Sequence, residues 1–246
     1  MLRIVENDLV LFKYLFEENF LERETIKKYI WENRGNSYID NRLAQLINAN
    51  YLKKEFHPAR KNAKLLAATK KAKLVLDMKK EVFRGGYQKD NTILSDLELN
   101  NYKVADGIDV RTILHDLELI KVRLKLEKLG VDFWKSRTLL NRDREDFSLV
   151  PDGKFEYNGT RYFLEFDFNN SYRRYKKAVT VYKNNLVENV IFIFKRPRIT
   201  KGFKKLFTTR DDKYYFGLYS DFKENYIELE TIMGDLKEKL IIGNKN

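Results

Sequence analysis

Two carboxylates and a run of cations are the residues best suited to chemistry in this chain. Asp152, in the pair Pro151-Asp152, and Glu165 lie on either side of Asn158-Gly159, a dipeptide that favours a two-residue hairpin turn. Phe147 to Tyr157 alternate loosely and Arg161 to Phe168 closely, which predicts two paired strands. In the second strand Tyr162, Leu164, Phe166 and Phe168 take one face, and Phe163, Glu165 and Asp167 take the other. Such a hairpin brings Asp152 near Glu165 on one face of a small sheet. Two carboxylates so placed, with a backbone carbonyl between them, suit Mg²⁺. The helix expected next carries Arg173, Arg174, Lys176, Lys177 and Lys183. Acidic strands beside a basic helix suit a phosphodiester held next to a metal ion. The alternative stays open that these carboxylates are solvated outer-face residues and the helix one more basic surface.

Composition narrows the partners. The chain has 246 residues and a formal charge of +12, which points to a polyanion, nucleic acid first. The excess recurs at 53–80, 121–144, 172–183 and 195–213 among acidic residues, so it is a property of folded surfaces and not of a basic tail. With 17 Phe and 15 Tyr there is ample core material for one or two domains. Cysteine is absent and His57 and His115 are the only histidines, which excludes disulfides and disfavours a histidine-rich zinc centre. His115 is expected to be a satisfied, partly buried residue. No apolar run approaches the roughly 20 residues needed to span a bilayer, and no signal-peptide pattern opens the chain, so a cytoplasmic protein without a membrane partner is expected.

The elements that must position these residues follow from apolar spacing. Residues 7–17 predict a helix with Asp8 near its cap and Leu9, Phe12, Leu15 and Phe16 inward. Leu21 to Trp31 predicts a second. A third, capped by Asn36 or Ser37, runs to about Asn48, with Leu43, Leu46 and Ile47 inward and Tyr38, Asn41, Arg42 and Gln45 outward. An apolar-basic strand, a basic loop over His57–Lys64, a return strand and a helix over about Lys70–Lys80 complete this part. Residues 85–107 read as a linker or short helices, dividing a domain at 1–84 from one at 108–246. Ile108 to Leu129 predicts a helix covered on two sides, with Asp116, Arg123 and Glu127 on a polar strip, ended by Gly130. A strand at 131–134, the hairpin and basic helix, a buried strand at 188–195, a basic helix over 200–209 and the strand Lys213–Ser220 come next. Lys223 to Ile242 is expected to close the chain as a helix broken at Gly234.

Three helices followed by a two-stranded basic flap, with RLAQLINANYLKK, a basic loop and LLAATKKAKLVL, resemble the third helix, wing and final helix of winged-helix DNA-binding proteins. That resemblance implies that Tyr38, Asn41, Arg42 and Gln45 enter the major groove of double-stranded DNA and that Arg60, Lys61 and Lys64 meet phosphates. The second half, with PD on one strand and E-x-D on the next, resembles the PD-(D/E)XK nuclease-like fold. The expected class is therefore α/β (α+β overall): a winged helix-turn-helix, then a mixed sheet flanked by helices.

The nuclease-like resemblance implies Asp152 and Glu165 as Mg²⁺ ligands, with Glu127 as an added helix acid. Asp167 stands where that family places a lysine, and Arg174 or Lys176 would have to supply the basic group. The winged helix, the helix HDLELIKVRLKLEKLG and PDG…YFLEFDFNNS…RYKKAVTVY together resemble the replication-relaxation family of plasmid and mobile-element proteins. This implies a DNA-binding role in replication, relaxation or mobilisation, with a relaxase or replication protein as partner. The alternatives are an active Mg²⁺-dependent endonuclease, in which Asp152, Glu165, Asp167 and Lys176 form the catalytic set, and a homodimeric transcriptional regulator. Arg173, Arg174 and Lys177 would add DNA contacts in the first two.

Overall fold

The computed structural model describes residues 2–57, 60–83, 112–136, 140, 150–167, 172–184, 189–198, 203, 211–232 and 239–245. Helix α1, Glu6–Glu18, buries Leu9, Phe12, Leu15 and Phe16 as their spacing requires, and Leu11 besides. It ends at Asn19, whose φ of 69° is one that Asn tolerates. The second helix begins later than expected. Leu21–Glu22 is a short strand, β1, antiparallel to β3 through Leu21↔Leu66 and Glu22↔Leu65. Helix α2, Arg23–Thr25, then runs into a π-helical turn over Ile26–Ile30. The expectation failed because Leu21 is buried against a strand partner more than forty positions along the chain, which no local period reveals.

Helix α3, Asn36–Asn48, is capped by Gly35 and not by Asn36 or Ser37. It buries Ile39, Leu43 and Leu46, and Ile47 is only partly covered. Strands β2, Leu52–His57, and β3, Arg60–Ala68, form the antiparallel flap, and helix α4, Lys70–Phe83, follows. The three strands pair in the order β1-β3-β2. Thr69, just before α4, donates its hydroxyl to Asn50 O at 2.7 Å and Tyr51 O at 3.1 Å, fixing that helix start beside the start of the flap. The connection expected as a basic loop is mostly strand, since Arg60, Lys61 and Lys64 all belong to β3.

The chain divides into two compact units, Met1–Leu117 and Glu118–Asn246, the division falling inside helix α5, Ile113–Lys128. Residues 85–107, read as a linker, lie outside the described residues. The second unit is built on a seven-stranded mixed sheet in the order β10-β9-β8-β7-β6-β5-β4. Its strands are β4, Asp132–Ser136; β5, Gly153–Tyr157; β6, Thr160–Asp167; β7, Asn189–Phe194; β8, Asp211–Leu218; β9, Tyr226–Ile232; and β10, Lys239–Gly243. Strands β6, β7 and β8 run parallel, and the remaining pairs are antiparallel. Helix α6, Tyr172–Asn184, is the crossover between β6 and β7.

Period-2 alternation in β6 splits the core in two. Tyr162, Leu164 and Phe166 pack with Leu119, Val122 and Leu126 of α5, whereas Phe163 packs with Ala178, Val179 and Tyr182 of α6 and with Phe192 and Phe194 of β7. The helix expected over Lys223–Ile242 is instead strands β9 and β10, antiparallel through Leu229↔Leu240 and Ile227↔Ile242. Ile227 and Leu229 are buried between the more exposed Glu228 and Glu230, a strand period that governs over the helix propensity of Glu, Leu and Lys. Most of the helix expected over 200–209 lies outside the described residues, although Phe203 is buried against Phe192 and Phe194.

Candidate functional site

Helix α3 carries two kinds of polar residue, and the structure separates them. Its charged residues are paired within the unit. Asp40 accepts from Arg23 through Nε at 2.6 Å and Nη2 at 2.7 Å, a fork geometry. That hydrogen bond raises the Arg23 pKa further above its ordinary value. Arg42 turns toward α1, where its Nε donates to Oδ1 of the fully buried Asp8 at 3.0 Å and its Nη2 to Arg3 O at 2.7 Å. A second donation from Arg42 Nη2 reaches Asp8 Oδ2. Hydrogen bonding to Asp8 likewise raises the Arg42 pKa.

Arg42 was expected to reach base edges. Its guanidinium is a structural link between α1 and α3, because a buried carboxylate needs that charge more than solvent does. Beside the exposed, ion-paired Asp40, α3 presents five exposed uncharged residues on one side: Ser37, Asn41, Ala44, Gln45 and Asn48. At 100° per residue these five fall within one stripe about 100° wide. Arg42 Nη1 also donates to Gln45 Oε1 at 3.0 Å, which orients that amide. Tyr38 is exposed beside the stripe, edge-on to Trp31 and under the Arg34 guanidinium at 5.5 Å. Ala44 and Asn48 were missed in the sequence, although their offsets of three and seven from Asn41 place them on its face. The side chains of Arg60, Lys61 and Lys64 lie outside the described residues.

The carboxylate pair is assembled by the β5–β6 hairpin. Asn158 and Gly159 have φ of 50° and 72°, the left-handed pair that a two-residue turn requires. The register Gly153↔Leu164, continued by one residue, sets Asp152 opposite Glu165 on the α6 side of the sheet. Asp152 is buried; its N–H donates to Leu164 O at 3.0 Å and its Oδ2 accepts from Phe166 N at 2.9 Å. Glu165 Oε1 accepts from the Tyr182 hydroxyl. Burial, and next the Glu165 charge, push the Tyr182 hydroxyl far above its ordinary pKa, with Asp152 adding to the effect, so it remains a donor.

Tyr182 therefore faces both acids from α6. Its role was missed, yet Ala178, Val179 and Tyr182 at i, i+1 and i+4 mark the inward stripe of that helix. Lys176 and Lys177 are exposed, away from that inward stripe. The lysine nearest them by register is Lys154, two residues after Asp152 on the same strand face and opposite Phe163, with Nζ at 5.5 Å from that ring.

Glu127 does not join the pair. It belongs to α5, whose core side chains cover the other face of the sheet, and it accepts at 2.8 Å from Nε of the buried Arg123. Accordingly, no group of three His, Asp or Glu among the described residues is placed to hold a metal ion. Two carboxylates are as many as Mg²⁺ commonly takes from protein, water and phosphate oxygens completing its shell, and here Asp152 Oδ2 and Glu165 Oε1 already accept from Phe166 N and the Tyr182 hydroxyl. Asp167 closes β6 in register with Phe194, and its side chain, like those of Arg173 and Arg174, lies outside the described residues. His115 pairs with Asp116 at 3.1 Å, a satisfied histidine as expected. Comparison of the chain with known protein families, with curated proteins and with solved structures found no match.

Proposed function

We propose that this chain is a DNA-binding protein of plasmid or mobile-element replication, relaxation or mobilisation. The observation that carries this reading is the exposed face of α3, whose two charged residues are ion-paired within the unit and whose amides are exposed. The order α1-β1-α2-α3-β2-β3, with strands paired β1-β3-β2, supports a winged helix-turn-helix in which α3 enters the major groove. The +12 charge supplies the phosphate attraction. In the second unit α5, the antiparallel β4-β5-β6, α6 and the parallel β7 support a PD-(D/E)XK-like fold that contacts DNA or protein partners. The test of this reading is duplex binding by the full chain. Affinity should fall steeply with salt, and Lys61→Ala should weaken binding to all sequences alike. Absence of duplex binding at low salt would refute it.

The pairing of Asp152 with Glu165 favours a second reading, an Mg²⁺-dependent endonuclease. The two acids would hold the ion, which would supply charge stabilisation at a phosphodiester. Lys154, on the same face, is the better-placed basic group than Lys176. Supercoiled plasmid with Mg²⁺ or Mn²⁺ separates the readings. Nicking by the wild type that vanishes in Asp152→Asn with Glu165→Gln assigns the nuclease. Intact plasmid with undiminished binding in both proteins assigns the pure binder.

A further inference from the structure

We infer that the base pairs read by α3 are A·T pairs, recognised through adenine by Asn41 and Gln45; this rests on the reading of the first unit as a winged helix. Guanine offers two acceptors, N7 and O6, to the major groove and is matched by the paired donors of Arg or by Lys. Helix α3 contains one such residue, Arg42, and its guanidinium is committed to Asp8, Arg3 O and Gln45. Adenine offers an acceptor and a donor, N7 and N6–H₂, which match the donor and acceptor of one carboxamide. The stripe presents three carboxamides, Asn41, Gln45 and Asn48.

Ala44 lies between Asn41 and Asn48 on that face, where its methyl suits the thymine 5-methyl of a neighbouring pair. Asp40, the one acid of the helix and a natural partner for the cytosine amino group, is held by Arg23. Arg42 is thus turned away from the reading face and Asp40, though exposed, is ion-paired, whereas the carboxamides able to recognise A·T are exposed.

The test begins with selection of duplexes by the full chain from a pool with a randomised core. The expected product is a run of A·T pairs. Replacing its adenines singly with 7-deazaadenine, which lacks the N7 acceptor, should lower affinity about tenfold at the positions facing Asn41 and Gln45, the size of a lost bidentate contact. Asn41→Ala and Gln45→Ala should each abolish the effect at one position. Both residues are exposed, so the variants should fold. A selected core containing guanine whose 7-deaza analogue weakens binding would overturn the inference and leave the DNA-reading proposal standing. An A·T core indifferent to deazaadenine, or one still preferred after both substitutions, would also overturn it, since recognition would then be of groove shape. If no sequence is enriched and both variants bind duplex as the wild type does, the DNA-reading proposal falls as well.

Discussion

Arg42 joins the helix that would read DNA to the helix that supports it, because Asp8 is fully buried and has Arg42 as its ion-pair partner. Arg42→Ala leaves that carboxylate without its counter-charge, and the expected loss of stability is about 3 kcal/mol or more by denaturant unfolding. A loss under about 1 kcal/mol, of the size seen for exposed pairs, would contradict the structural role. This residue also shows where sequence reasoning stops. Arg42 occupies an outward helical position by spacing, and its partner lies 34 positions earlier, where no local pattern links them. Gly153 has a clearer reason to be glycine. A Cβ there would stand 2.6 and 2.7 Å from the buried indole of Trp134. Gly153→Ala should cost about 1–3 kcal/mol by overpacking, and Asp152, its neighbour, would shift with the strand. Unchanged thermal stability would show that the indole moves freely.

Elements with a strong local signal were legible, and those decided by distant partners were not. Asn158-Gly159 announced its turn because few other residue pairs tolerate both positive φ values. Asp152 and Glu165 were correctly placed face to face for the same reason, since the turn sets the register. Strand β1 was hidden because two residues carry no period. In β9 and β10 the alternation was present, but helix-forming Glu, Leu and Lys masked it. These two strands carry a pH prediction. Glu228 accepts from Lys239 and Lys245, which hold its carboxyl at about 2 against an ordinary 4.5. A depressed folded pKa contributes stability that is complete above 4.5 and lost as the pH falls toward 2. The wild-type thermal midpoint should therefore fall more steeply across that window than that of Glu228→Gln. Equal slopes would mean that these ion pairs do not support the β9–β10 pairing.

For the whole molecule, the +12 charge and the exposed face of helix α3 are what the proposed polyanionic partner would meet. Among the described residues no helix is long and apolar enough to cross a membrane. The second unit carries a concave surface at its interior strands β8 and β9. An open cavity of about 400 Å³ there is lined by Asp221, Lys223, Glu228 and Glu230 among others, with Glu228 paired to Lys239 and Lys245. The proposed DNA contacts are α3 of the first unit and the exposed Lys176 and Lys177 of α6 in the second. Helices α5 and α6 and strands β4 to β8 of the second unit were legible, because each has its own apolar period. The assignment of side chains to partners was not, as Arg123, Glu127 and Tyr182 each show. The most direct measurement is of the side-chain amide resonances of Asn41, Gln45 and Asn48 in the full chain as duplex DNA is added. These resonances should shift together, saturably, at the stoichiometry of binding. If duplex binds while all three stay in place, α3 is not the reading element and the central claim is wrong.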